Sequence, residues 1–144
     1  MREIRSEQLQ VSAYHNQLPN GLDVYVIPKP GFNQTFAMFT TKYGSIDREF
    51  TVPGETEPTV VPDGIAHFLE HKMFEQPDGE DVFNVFAEYG ASPNAFTSFD
   101  ITSYLFSCTD NVEKNVNILL DFVQQPYFTD ESVEKEKGII GQEI

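Results

Sequence analysis

The sequence predicts an α+β protein, a two-layer sandwich in which helices pack on an antiparallel-rich sheet. Three observations support this fold class. Strand-like segments dominate the beginning of the chain, helical periodicity begins near residue 63, and further strand-like segments lie between the helices. This order favours an antiparallel sheet over repeated βαβ units. Because 144 residues is the length of one ordinary domain, we expect a single domain over residues 1–144.

The first third of the chain is expected to form three strands. Residues 11–18 and 23–27 flank the sequence Pro-Asn-Gly-Leu, a turn signal, and therefore predict a hairpin. Residues 35–43 are rich in aromatic and β-branched side chains, which favours a third strand. Residues 50–62 contain three prolines and little periodicity, so we expect an exposed loop there.

The remainder of the chain mixes helices with two strands. Asp63 is expected to cap a helix that runs to about residue 74, and Gly90 to end a second helix over 81–89. Residues 92–96 and 101–107 predict strands. Apolar side chains at helical spacing predict a helix over 112–123, and Thr129 is expected to cap a last helix that runs to residue 144.

The charge balance excludes several classes of partner. The formal charge is −14, with −3 in residues 1–72 and −11 in residues 73–144. Nucleic acid needs clustered Lys and Arg, and so does an anionic membrane surface. The single cysteine, Cys108, permits no internal disulfide, and no apolar segment approaches the length of a signal core or a membrane span. We therefore expect a cytoplasmic protein that binds neither nucleic acid nor membrane.

The segment His67-Phe-Leu-Glu70-His71 carries the clearest chemical signal. On a helix the two imidazoles and the carboxylate share an arc of about 100°. Two histidines one turn apart can bind one Zn²⁺, and a neighbouring glutamate that is not a ligand can accept a proton from water. This H-x-x-E-H pattern is typical of inverted zinc peptidases. The alternative is an amphipathic helix with a solvated His/Glu face.

A catalytic zinc site needs a third protein ligand, and the last predicted helix offers two candidates. Glu136 and Glu143 are seven residues apart and therefore only about 20° out of register on a helix. Ile139 and Ile140 lie on the same stripe, where an ionised glutamate is costly unless a metal compensates it. Periodicity does not choose between the two glutamates, and both could simply flank an apolar stripe.

Taken together, these segments resemble the pitrilysin/insulinase family of inverted zinc metallopeptidases, including its bacterial processing proteases. The resemblance covers nearly the whole chain. It rests on five features: a hairpin (residues 18–24), a Gly-Ser pair (Gly44-Ser45), the histidine helix (residues 64–71), an Asn-Ala-x-Thr segment (Asn94-Ala95-Phe96-Thr97) and two distal glutamates (Glu136 and Glu143).

The resemblance implies a role for each matched residue. His67, His71 and Glu143 are implied as zinc ligands, Glu70 as the general base, and Glu136 as a supporting acid. The family docks substrate peptide as an added strand, a recognition mode that reads backbone. The residues implied for that docking are Asn94, Ala95, Phe96 and Thr97. Without the resemblance, this segment would be interpreted as an ordinary internal strand.

The resemblance also implies the activity, a zinc-dependent endopeptidase. Active family members are several times longer and close two related halves around the substrate, the second half supplying an Arg and a Tyr. We therefore expect that a C-terminal half is missing, that the 144-residue chain cleaves poorly alone, and that a homodimer or a heterodimer with a relative could form. The alternatives are a non-catalytic peptide-binding or scaffolding partner, and an acidic domain whose His/Glu cluster is solvated.

Overall fold

The structure, a computed structural model, describes the backbone of residues 1–143 and the side chains of residues 1–141. The chain divides into two compact units, an N-terminal unit of residues 1–33 and a main unit of residues 34–144. The expected α+β class is confirmed, because the described residues form helices and strands whose pairings are all antiparallel. The single domain over 1–144 stays a prediction.

The N-terminal unit is a three-stranded sheet. Its strands are β1 (Arg2–Ser6), β2 (Val11–Gln17) and β3 (Asp23–Val26), in the order β1-β2-β3. The β2–β3 hairpin matches the prediction, and its turn is closed by the backbone N–H of Leu18, which donates to Leu22 O at 2.8 Å. Strand β1 was not anticipated, because its sequence is largely charged and its residues are mostly exposed.

Among the residues that the structure describes, the main unit forms five strands and four helices. The strands are β4 (Thr35–Thr41), β5 (Glu49–Phe50), β6 (Thr59–Val60), β7 (Ala91–Thr97) and β8 (Thr102–Cys108). The helices are α1 (Ile65–Met73), α2 (Val82–Glu88), α3 (Val112–Phe122) and α4 (Asp130–Glu143). Strands β4, β8 and β7 form one sheet in that order, and β5 pairs with β6. The end of α4 at residue 144 lies outside the described residues.

The core lies between the main sheet and its helices. Alternate residues of the central strand β8 face the helices, as the two-residue period of a strand requires. Their partners include aromatic rings that pack with centroids about 5–6 Å apart, a favourable arrangement for ring pairs. These rings belong to Phe74, Phe86, Tyr104, Phe106 and Phe122. The cluster supports the end of α1 and therefore fixes where that helix lies on the sheet.

Two local predictions were wrong. The residue that caps α1 is Gly64, not Asp63; Gly64 has a φ of 84°, a conformation that favours glycine, and the Asp63 carboxylate instead accepts from Arg48 Nε at 2.8 Å. The segment expected to be a loop holds the short pairing of β5 with β6. A two-residue strand carries too little periodicity to be recognised in the sequence.

Gly44 lies where the chain leaving β4 crosses the turn that joins β7 to β8. Directly after Gly44, two backbone amides bind that turn: Ser45 N donates to Ser98 O at 2.9 Å and Ile46 N to Phe99 O at 3.0 Å. A Cβ on Gly44 would lie 2.4 Å from Phe99 O. Only glycine therefore permits this crossing.

Gly138, inside α4, has no comparable constraint, since a Cβ there meets nothing within 4 Å. Glycine in a helix interior costs about 0.5–1 kcal/mol relative to alanine. We expect Gly138→Ala to raise the free energy of unfolding by that amount, measured by urea denaturation with an unchanged m-value. Gly54→Ala is the control, because Gly54 also has space but a φ of +94°, and alanine there should not stabilise. A less stable Gly138→Ala protein would contradict the prediction.

Candidate metal and catalytic site

Helix α1 presents His67, Glu70 and His71 to one region of the main unit. The Nε2 atoms of His67 and His71 face each other at 3.0 Å. Two nitrogens that bind one tetrahedral Zn²⁺ at about 2.0–2.1 Å lie roughly 3.3 Å apart. The histidine pair therefore fits a shared metal ion with a displacement of a few tenths of an ångström.

Helix α4 supplies a carboxylate to the histidine pair. Glu136 Oε1 lies 2.8 Å from His71 Nδ1, and the Glu136 side chain is only 8% exposed. Because an ionised carboxylate only accepts, Nδ1 carries the proton of this hydrogen bond. In the neutral imidazole, the lone pair is then on Nε2, the atom that faces His67. A carboxylate behind a ligating histidine orients it in this way in many metal sites.

The third predicted ligand is not among the described side chains. The backbone of α4 reaches Glu143, but its side chain lies outside the described residues. Within residues 1–141, no group of three metal-ligating side chains is present. The fit to zinc therefore rests on the two histidines and on Glu136.

Glu70 is held between α1 and the sheet. Glu70 is 8% exposed, and Thr97 Oγ1 donates to Glu70 Oε2 at 2.6 Å. Thr97 ends β7 opposite Thr102 of β8, whose hydroxyl donates to Tyr43 O at 2.9 Å. Sequence reasoning assigned Thr97 to substrate docking and missed this contact with Glu70. The strand alternation is the signal that could have found it, because Thr97 shares a face with the buried Ala91.

The segment predicted to dock substrate lies at an edge of the main sheet. Within the described part of the chain, β7 pairs with β8 and with no other strand. Asn94 and Phe96 are exposed, whereas Ala95 is half-buried and its backbone N–H donates to Asn94 Oδ1 at 2.9 Å. The structure therefore brings one end of this segment to Glu70 and leaves its outer side open to another strand.

An open cavity of about 730 Å³ adjoins these residues. Its lining includes Glu70, His71 and Glu136 as well as Asn94 and Ala95. The histidine helix, the edge strand and α4 thus surround one space. That space is large enough for several side chains of an extended peptide.

Tyr104 lies near Glu70 in the core. Burial, and to a smaller extent the charge of Glu70, raise the pKa of the Tyr104 phenol above its ordinary value. The folded state therefore holds this proton more tightly than the unfolded chain. The contribution to the free energy of unfolding is complete below about pH 10 and falls as the pH rises further.

We expect Tyr104→Phe to make the loss of stability above pH 10 less steep. The measurement is urea denaturation at several pH values between 8 and about 11. Phenylalanine keeps the ring packing and removes the titrating group, so the comparison isolates the phenol. An equally steep alkaline loss in the variant would assign the pH dependence to other groups.

An α+β sandwich that holds H-x-x-E-H on a helix beside an acidic helix is typical of inverted zinc peptidases. A family model of the insulinase family, peptidase family M16, matches residues 56–144. The chain belongs to this family, and the expected resemblance is confirmed.

Relatives of this family match the chain over most of its length. The Bacillus subtilis protein named "uncharacterized zinc protease YmfH" is 65% identical over 144 residues, which is 100% of this chain and 33% of that protein. A crystal structure of an M16-like peptidase from Alicyclobacillus acidocaldarius has a TM-score of 0.86 and 55% identity, covering 93% of this chain and 31% of that one.

A protease structure from Helicobacter pylori has a TM-score of 0.73 at 24% identity, covers 91% of this chain and 30% of that one, and supports the fold alone. The chain thus spans about a third of the length of these relatives. No helix among the described residues is long and apolar enough to cross a membrane.

Proposed function

We propose that this chain is the zinc-bearing part of a longer endopeptidase that hydrolyses peptide bonds. The observation that carries the proposal is the arrangement of His67 and His71, whose Nε2 atoms face each other while Glu136 binds His71 Nδ1. Glu143, two helical turns after Glu136, is proposed as the third ligand because the family resemblance assigns that role to the second of the two distal glutamates. Glu70, one residue before His71, is the proposed general base.

When bound, zinc supplies a Lewis acid that polarises the scissile carbonyl and makes water more acidic. The chain's own residues do the rest. Glu136 fixes the tautomer of His71, so that Nε2 offers its lone pair. Glu70 takes a proton from water and passes it to the leaving amine. The hydroxyl of Thr97 fixes one Glu70 oxygen and leaves the other for that proton.

The outer edge of β7 is the proposed docking site for the peptide. Residues 94–97 pair with β8 on one side, and Asn94 and Ala95 line the same cavity as Glu70 and His71. A peptide added there as a strand would be recognised by its backbone, with limited dependence on sequence. Asn94, Ala95, Phe96 and Thr97 are the residues that would contact it.

The whole protein is proposed to need more than this chain for turnover. Since the chain spans about a third of its relatives, the remainder of the protein, or a related subunit in a homodimer or heterodimer, would close over the substrate. The isolated chain would bind peptide without cleaving it, which calorimetric titration of a peptide can test. We place the protein in the cytoplasm on the sequence alone.

Metal removal tests the proposed function. Full-length protein treated with a chelator should lose peptide cleavage and regain it when one equivalent of Zn²⁺ is added. His67→Ala should lower stoichiometric zinc, measured by elemental analysis, and cleavage together, because one of the two imidazole ligands is gone.

His15→Ala is the matched control, since His15 lies in the N-terminal unit and pairs with Asp23. It should keep both zinc and cleavage. A zinc-replete full-length protein that contains no stoichiometric metal would overturn the proposal.

A further inference from the structure

The residue after His71 is a lysine whose side chain is 0% exposed. A buried ammonium group is costly unless charged or polar partners surround it. Lys72 has two such partners, the carboxylate of Glu75 and Ser132 Oγ, the latter at 2.6 Å. Glu75 lies two residues beyond the end of α1, whereas Ser132 belongs to the first turn of α4. Lys72 therefore joins the two helices.

The first turn of α4 does not need a cation. Thr129 and Ser132 cap it reciprocally, because Ser132 N donates to Thr129 Oγ1 at 3.1 Å and Thr129 N to Ser132 Oγ at 3.2 Å. A positive charge at a helix N-terminus is also unfavourable for the helix dipole. Lys72 is favourable for the dipole of α1, in whose last turn it lies. For α4 the ammonium group is unfavourable, and features that break a local rule in this way commonly serve a site.

Two hydrogen bonds join α1 to α4, one from His71 to Glu136 and one from Lys72 to Ser132, and both fit a single alignment of the two helices. His71 and Lys72 are successive residues, and their partners Glu136 and Ser132 are one helical turn apart. A shift of α4 by one turn would move Glu136 by about 5.4 Å, beyond hydrogen-bonding distance of His71. Gly138 weakens the helical preference of the second half of α4, so this half depends on such tertiary contacts.

We propose that Lys72 is a positioning residue that sets the register of α4 and thereby holds Glu136 against His71. It acts on the metal site through Ser132 and Glu136, since the hydrogen bonds of its ammonium group among the described side chains go to Glu75 and Ser132. The inference rests on the proposed zinc site and adds the residue that aligns it. Partners behind metal ligands typically change metal affinity ten- to a hundredfold when they are lost.

Zinc affinity of the full-length protein, measured by competition with a chromophoric chelator, is the test. Lys72→Met should lower it about ten- to a hundredfold, while circular dichroism shows a folded protein. Methionine fills a similar volume, and replacing a buried ion with an apolar side chain often leaves stability intact. Lys137→Met is the control, because Lys137 is exposed on α4 and pairs with Glu134; its zinc affinity should equal that of the wild type.

A double-mutant cycle separates positioning from general loosening. If Lys72 acts through Glu136, then Lys72→Met combined with Glu136→Ala, which removes the hydrogen-bond acceptor of His71, should lose less zinc affinity than the sum of the two single losses. Fully additive losses, or a folded Lys72→Met protein with wild-type affinity, would overturn the inference. Wild-type protein that binds no zinc would instead overturn the proposed function on which the inference rests.

If Lys72→Met does not fold, two α4 variants decide. Ser132→Ala removes the acceptor of Lys72 and one of the two reciprocal cap bonds, whereas Thr129→Ala removes the other cap bond and leaves that acceptor in place. We expect Ser132→Ala to lower zinc affinity and Thr129→Ala to keep it. Equal affinities in these two variants would show that Lys72 has no positioning role.

Discussion

Replacing Glu70 with glutamine should lower peptide cleavage by the full-length protein about 10²–10⁴-fold while zinc stays bound. The amide has nearly the same shape as the carboxylate, and its oxygen can still accept from Thr97 Oγ1. What is lost is the group that takes the proton from water. The measurement is kcat on a synthetic peptide together with zinc content by elemental analysis.

The control for this variant removes a carboxylate elsewhere. Glu88 lies at the exposed end of α2. The Glu88→Gln protein should therefore keep both peptide cleavage and bound zinc. A Glu70→Gln protein that retains zinc and cleaves at the wild-type rate would exclude Glu70 as the base. Loss of zinc in this variant would mean instead that Glu70 is a ligand.

Gly44→Ala should lower the free energy of unfolding by about 3 kcal/mol, the largest loss of stability that we expect from a single methyl group. The added Cβ would lie 2.4–2.5 Å from three backbone atoms of Phe99 and Asp100. The two segments in contact are joined by hydrogen bonds from the amides of Ser45 and Ile46 to Ser98 O and Phe99 O. Neither segment can therefore move away from the added methyl group without breaking these bonds.

Urea denaturation measures this loss, and the opposite effect expected of Gly138→Ala provides the internal comparison. Both variants add one methyl group to a glycine of the main unit, so they differ in the space that the methyl group meets. Unchanged stability in Gly44→Ala would mean that the crossing beside the β7–β8 turn is looser than the structure has it.

Most elements of the fold could be predicted because their signals are local. Helix α3 and strand β4 follow from the spacing of neighbouring apolar side chains, and the cap of α4 at Thr129 was anticipated from a single residue type. Strand β1 was not anticipated, since pairing with β2 and not an apolar pattern maintains it. The cap of α1 was misassigned because the Asp63 carboxylate has a competing partner in Arg48.

The candidate site likewise has one part that local spacing predicts and another part that it does not. His67, Glu70 and His71 lie within five residues, so helix geometry alone places them together. The contacts that orient them join residues far apart in sequence: Glu136 lies 65 residues from His71, and Thr97 lies 27 from Glu70. Periodicity carries no information at such separations, and Glu136 entered the prediction as a supporting acid through the family resemblance. The burial of Lys72 had no sequence signal.

The outer edge of β7 has a consequence for self-association. An exposed strand edge is a template for any other chain and a hazard for aggregation. Pro93 offers no N–H, and the N–H of Ala95 already donates to Asn94 Oδ1, so two backbone donors are withheld from a foreign strand. An incoming strand must first displace the Asn94 amide. This edge is therefore a poorer template for self-association than a strand edge with all of its donors available.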